Sequence, residues 1–311
     1  MANFDLAKSF DGGEVSFNMP LSPIVFGDYL YVNDSGNDRI LVYYASSLKL
    51  RGMIEGFDSP SQIAVNNDNI FVPDGDNVYI YSRNTFNHRK TLTFSGSIQA
   101  VTVDRSYLYV LDSADFKLHK FRLHGMKLIS TAFLPSDSYT GISVSDRNNY
   151  LFLFDITNQK VVVRSRLNLV IIESFDNDIV GGVNVLSAND KFLYVIQPDS
   201  LLVYSIGNWV LVATGDFSDP DSDGYLQFAN SASISKNLIY VADASGNVIN
   251  IYQKYRVINS LSSSSGYGVV DGKKVIVGID ELIAFDDDTP QEGRNDWVEG
   301  ADIDSSIAWS E

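Results

Sequence analysis

One pattern recurs along this chain about every forty residues, and it limits the fold more than any other feature. It is a short apolar, aromatic-rich run ending in a polar residue: Tyr29-Leu-Tyr-Val-Asn-Asp34, Asn69-Ile-Phe-Val-Pro-Asp74, Tyr107-Leu-Tyr-Val-Leu-Asp112, Tyr150-Leu-Phe-Leu-Phe-Asp155, Phe192-Leu-Tyr-Val-Ile-Gln197 and Leu238-Ile-Tyr-Val-Ala-Asp243. A degenerate seventh copy is Lys274-Val-Ile-Val-Gly-Ile279. The terminal residues stand 36 to 46 positions apart. A regular period of this size marks a repeat architecture, in which each unit buries its apolar faces only against its neighbours.

Each unit has the same internal order. About ten residues before the run comes a short apolar strand, as in Ile63-Ala-Val65, Val101-Thr-Val103, Ile142-Ser-Val144 and Val183-Asn-Val185. Asn- and Asp-rich turns such as Asn66–Asn69 and Ser187–Asp190 separate the two, and these residues suit tight hairpins. A third strand follows (Arg39–Tyr43, Val78–Tyr81, Lys117–Phe121, Leu201–Tyr204, Val248–Tyr252), and then a fourth (Leu48–Ile54, Lys90–Phe94, Lys127–Thr131, Arg256–Leu261). Four strands per forty residues, with period-two alternation and no long helical pattern, predict an all-β fold: a closed β-propeller of four-stranded antiparallel blades. The seventh unit shows only Tyr267–Val270, Val275–Ile279 and Leu282–Phe285. The orphan stretch Phe4–Phe10 resembles the fourth strands. The expectation is therefore seven blades, with the N-terminal strand completing the last. Six blades with Tyr267–Phe285 as an appendage is the alternative. Residues 1–285 form the propeller and 286–311 a tail.

The stretch Tyr31-Val-Asn-Asp-Ser-Gly-Asn-Asp-Arg-Ile-Leu-Val-Tyr43 resembles an NHL repeat: an apolar strand, Asp, a turn with Asn, then Arg-Ile and an aromatic. Ile239–Tyr252 resembles it next best, with Val in place of Arg. The resemblance implies a six- or seven-bladed propeller. It leaves activity open, because propellers carry lactonases, lyases, protein-binding scaffolds and RNA binders alike.

Chemistry is sparse. Cysteine is absent, which removes disulfides, thiolate metal sites and cysteine nucleophiles. The three histidines, His88, His119 and His124, fall off the inner strands, whereas in ring-shaped lyases of the resembling kind channel histidines hold the metal. The repeated Asp34, Asp74, Asp112, Asp155 and Asp243 read as scaffold, since a carboxylate at a strand end accepts turn N–H groups. Lys117, Lys120 and Arg122 beside His119 and His124 form a basic cluster, read as a solvated strand and alternatively as a site for phosphate or an acidic partner. Asp104, Glu14, Glu55, Asp58, Glu173 and Asp280 are loose carboxylates, and some of them on the channel wall would suit a lactonase-like calcium site.

The strongest ligand pattern is Asp219-Pro-Asp-Ser-Asp-Gly-Tyr225. It matches the first half of a calcium loop, with Asp219, Asp221 and Asp223 at positions 1, 3 and 5, Gly224 at the turn and Tyr225 at the carbonyl position. Asn230 stands where the bidentate glutamate belongs, so a solvated acidic loop is the competing reading.

The last 26 residues differ in kind. They hold nine acids and one arginine, half of the chain's net charge of −16, together with Trp297 and Trp309. Acidic tails are commonly disordered, but tryptophans at this density point to docking. The acidity of the remaining chain argues for docking on a partner. It also argues against nucleic acid. No apolar run approaches a membrane span and Met1–Phe10 is no signal peptide, so a soluble protein made in a cytoplasm is expected. The sum predicts a non-catalytic binding or assembly module, with the Ser-, Asn-, Asp- and Tyr-rich composition of a viral or phage structural or receptor-binding protein. A channel-metal enzyme of the lactonase or lyase type is the alternative.

Overall fold

The computed structural model describes residues 2–135, 139–145, 147–176, 178–179, 185–220, 225–235, 238–256, 267–270 and 273–276. They form a β-propeller of six blades, each a four-stranded antiparallel sheet. The inner strands are Pro20–Phe26, Ala64–Val65, Ile98–Val103, Tyr139–Ser145, Val185–Ala188 and Ala229–Ser235. The repeated sequence run is the second strand of each blade, from Tyr29–Asp34 in blade 1 to Leu238–Asp243 in blade 6. In blade 5 the inner strand lies later than Val183–Val185, because Leu186 to Ala188 pair with Val195 to Leu193.

The expectation of seven blades is corrected. Each seam between blades encloses one buried apolar cluster, and the six clusters run round the ring without a break. The closing seam joins blade 6 directly to blade 1. There Tyr240, Ala242, Ile249 and Ile251 pack against Leu30, Val32, Leu41 and Tyr43. Polar contacts reinforce it: the Ser22 N–H donates to Ser231 Oγ at 2.7 Å, the Val25 N–H to Ser233 Oγ at 3.3 Å, and the Met19 N–H to Asn247 Oδ1 at 2.8 Å. Among the described residues the seventh unit contributes a two-stranded hairpin of Tyr267–Val270 with Lys273–Ile276.

The N-terminal strand does complete a blade, but it is the sixth. Ala2–Phe10 pairs antiparallel with Val248–Arg256, in the place assigned by sequence to Arg256–Leu261. Its register slips between Leu6 and Lys8, opposite Tyr252 and Ile251. The third and outer strands of the other five blades slip at the corresponding place, for instance Val42/Tyr43 and Val203/Tyr204. Such bulges increase local twist, so the N-terminal strand carries the same twist as every other outer strand. Phe10 ends it and plugs the closing seam, edge-on to Phe17 and Tyr43 at 5.4 and 5.0 Å. Joining the chain's first strand to its last blade leaves no open seam in the ring.

The turn from third to outer strand holds a large apolar residue at positive φ in five blades: Leu48, Phe86, Met126, Leu169 and Trp209. This left-handed geometry costs about 1–2 kcal/mol for such a residue. Burial offsets it where the side chain reaches the seam. Leu169 is fully buried, and Trp209 stacks on Phe175 at 5.1 Å.

Candidate functional site

The central channel is the concave feature that all six inner strands build. It is a cavity of about 200 Å³. One register position supplies its lining in every blade: Ile24, Ala64, Thr102, Ser143, Ser187 and Ser233, each paired across the ladder with an aromatic of the second strand, Tyr31, Phe71, Tyr109, Phe152, Tyr194 and Tyr240. In five of the six blades a bulky second-strand ring thus opposes a small inner-strand side chain, with Ile24 the exception. Ser22, Ser231 and Gln62 also line it. Gln62 reaches over blade 3, its Nε2 donating to the Ile142 carbonyl at 2.9 Å, while the Val101 N–H donates to the Gln62 carbonyl at 3.2 Å. The sequence reading missed Gln62, Ser231 and Ser233. Their spacing carries no motif, and their role appears only when three blades meet.

The lining is hydroxyl, amide and aliphatic. Such groups hold water or a neutral polar ligand, and they lack a side chain that titrates near neutrality. Among the described residues, no three His, Asp or Glu side chains converge as metal ligands would. The loose carboxylates lie elsewhere. Glu14, Glu55, Asp58 and Glu173 are exposed, and Asp280 lies outside the described residues. Asp104 is buried and caps a hairpin, accepting the Ser106 and Tyr107 N–H groups at 2.6 Å each. It also accepts the Tyr109 hydroxyl at 2.9 Å and Arg166 Nη1 at 2.8 Å, so it ties blade 3 to blade 4. Burial, and then the charge of Asp104, push the Tyr109 hydroxyl far above the usual phenol range.

The repeated aspartates are scaffold. Asp34, Asp74, Asp112, Asp155 and Asp243 are all buried. Asp34 accepts the Asn18 N–H at 2.7 Å, Asp74 the Asp58 and Ser59 N–H groups, and Asp243 those of Gln227 and Phe228. In each case the second strand's end pins the segment leading into its own inner strand. Asp112, Asp155 and Asp243 also accept the N–H three residues on. In blade 5 Gln197 takes the place, accepting Ser200 Oγ–H at 3.1 Å.

The basic cluster divides. Lys120 is not solvated as expected: it is buried, donating to the Arg166 and Leu167 carbonyls at 2.6 and 3.1 Å and lying 4.0 Å over the Tyr107 ring. Burial lowers its pKa, against the pull of Asp104. Lys117 pairs with Asp115 at 2.8 Å. His119 contacts Thr131 Oγ1 at 3.0 Å and stands 3.7 Å from Asp112; burial lowers its pKa, and Asp112 opposes the shift. Arg122 and His124 are exposed.

Of the calcium-loop residues, Asp219 is exposed and Tyr225 half-buried, while Asp221, Asp223 and Gly224 lie outside the described residues. Leu226, just beyond, is buried in the seam between blades 5 and 6. Trp297 and Trp309 also lie outside the described residues, as does the tail. Among the described residues no helix is long and apolar enough to cross a membrane. No protein-family model matches the sequence, and comparison with curated proteins gives no match.

Proposed function

We propose that this chain is a non-catalytic β-propeller that acts as a rigid binding and assembly module. It meets protein partners through its loop faces and through the C-terminal segment carrying Trp297 and Trp309. The observation that carries the reading is the channel lining. A hydrolytic or lyase propeller needs a metal or a general base where the blades converge, and here that place is built from serine, threonine, glutamine and aliphatic side chains. In the two NHL-like units the aspartates, Asp34 and Asp243, are occupied in holding loops. What an NHL-like identity adds is thus the scaffold. A structural or receptor-binding protein of a virus or phage is the class that suits the cysteine-free, Ser-, Asn- and Tyr-rich composition.

Affinity capture from the source organism, with native mass measurement, tests the reading. The expected result is a stoichiometric protein partner that is lost with the double variant Trp297→Ala/Trp309→Ala. A tightly held metal at one per chain, whose removal abolishes a hydrolytic turnover, would establish the enzyme instead.

A further inference from the structure

The chain is acidic as a whole, but two of its stretches hold cations and no acid. From Phe86 to Ser97 the sequence holds Arg89 and Lys90 and no acid; from Lys117 to Phe133 it holds Lys117, Lys120, Arg122 and Lys127 and no acid. The fold brings the two stretches together, the first as the outer strand of blade 2 (His88–Thr93), the second as the third and outer strands of blade 3 (Lys117–Arg122 and Lys127–Phe133). Lys90 Nζ reaches the Gly125 carbonyl at 3.5 Å, and Phe94 packs on His119 and Phe121 at 5.2 and 5.9 Å. Arg89, Lys90, Arg122 and Lys127 are exposed. Among the described residues the ion pairs are made by Arg39, Lys117, His119, Arg147 and Arg166, and not by these four. Beside them the outer strand of blade 3 exposes Leu128, Ile129 and Phe133, the last to 76%. An outer strand with free backbone groups and apolar side chains is a ready template for another strand.

We propose that residues 286–311 dock along this outer edge of blades 2 and 3 of their own propeller. The segment alternates its acids with apolar groups, as in Asp296-Trp-Val-Glu299 and Asp302-Ile-Asp304. Its tryptophans match in character the exposed Leu128, Ile129 and Phe133, and its carboxylates match in charge Arg89, Lys90, Arg122 and Lys127. Reach is ample. Leaving out the hairpin, the 11 residues from Arg256 to Tyr267 and the 21 from Ile276 to Trp297 span roughly 105 Å when extended, against roughly 50 Å across a compact domain of this size. Tethering raises the local concentration of the tail to about millimolar, which favours its own edge over that of a second copy. The body's net acidity, the sequence argument for docking elsewhere, loses force because these four cations lie on neighbouring strands of blades 2 and 3 and none is in an ion pair among the described residues, although Arg89 donates to Asn69 Oδ1 and Ser82 Oγ within blade 2. The inference goes beyond the proposed function, since a partner that captures the tail must first displace it from this edge.

Acrylamide quenching of the full chain tests it. Trp209 is buried against Phe175, so the accessible signal reports Trp297 and Trp309. Both should be shielded in the wild type at every protein concentration, and quenching should rise several-fold in R89E/K90E/R122E/K127E. If that variant does not fold, rising salt gives the same readout on the wild type: shielding falls while the melting temperature holds. Tryptophans fully quenchable in the wild type would overturn the proposal. So would shielding that grows with protein concentration alongside a dimer mass, which would assign the edge to a second copy.

Discussion

Replacing Phe10 with alanine removes a ring that shares a buried cluster with residues from the far side of the sequence, Tyr240, Ala242, Ile249 and Ile251. Phe10 is 7% exposed, sits opposite Ile249, and touches Phe17 and Tyr43 edge-on. Truncating a buried phenylalanine costs about 3–5 kcal/mol, transfer and cavity together. The two edge-to-face contacts supply about 0.5–1.5 kcal/mol each within that total. For a propeller of this size roughly 2–4 °C is lost per kcal/mol, so the melting temperature should fall by about 6–20 °C. Denaturant titration followed by near-ultraviolet circular dichroism reads the loss, with Leu167→Ala as control because that side chain is 73% exposed. The control should stay within about 0.5 kcal/mol of wild type. If Phe10→Ala also stays within that margin, the N-terminal strand does not hold the closing seam and the reasoning fails.

Asp34→Ala leaves the Asn18 N–H, the Asn37 amide and Arg39 without their acceptor; because Arg39 rehydrates in part, the cost should be about 2–4 kcal/mol, against about 1 kcal/mol for Gln197→Ala. Alkaline stability should drop steeply. Burial raises the hydroxyl pKa of Tyr31, Tyr43, Tyr81, Tyr109, Tyr139, Tyr204, Tyr240 and Tyr252, so above about pH 10 the unfolded chain releases protons that the folded chain keeps, and stability falls as pH rises by about 1.4 kcal/mol per unit for each such tyrosine. Phenolate absorbance should therefore appear together with unfolding, and phenolate growing in the folded protein would contradict it. If Asp219, Asp221, Asp223 and Tyr225 hold calcium, millimolar calcium raises the melting temperature and Asp221→Ala abolishes the rise; an unchanged wild type makes the segment a solvated loop.

The blade was legible in the sequence because its second strand is buried on both faces. Runs such as Tyr107–Asp112 are apolar throughout and end in an aspartate that the loop requires, so selection of residue type is strong at every position. The blade number was harder to read. Lys274–Ile279 has the look of a second strand, and Lys274 to Ile276 do pair with Val269 to Tyr267 as the second strand of a hairpin, but nothing local in it encodes the seam contacts that Tyr240 and Ile249 make with Leu30 and Tyr43. The same limit hid the channel. Ser231 and Ser233 read as unremarkable serines until the N–H groups of Ser22 and Val25 arrive from the other end of the chain. Lys120 misled for a related reason: its neighbours in sequence are cationic, while the carbonyls that bury it come from the next blade. Local pattern reports an element's own faces, and the ring is made between elements.

Closure at six blades is tested most directly by a disulfide across the junction of the two chain ends. The chain has no cysteine, so an engineered pair is unambiguous. Ser9 and Asn250 are register partners in neighbouring antiparallel strands, about 4.5–5.5 Å apart at Cα, within the range a disulfide spans. Ser9→Cys/Asn250→Cys should oxidise to an intramolecular bond in the monomer and raise the melting temperature. Failure of that pair to link, with ready linkage of Ser9→Cys to Ala284→Cys in the seventh unit, would contradict the six-bladed ring.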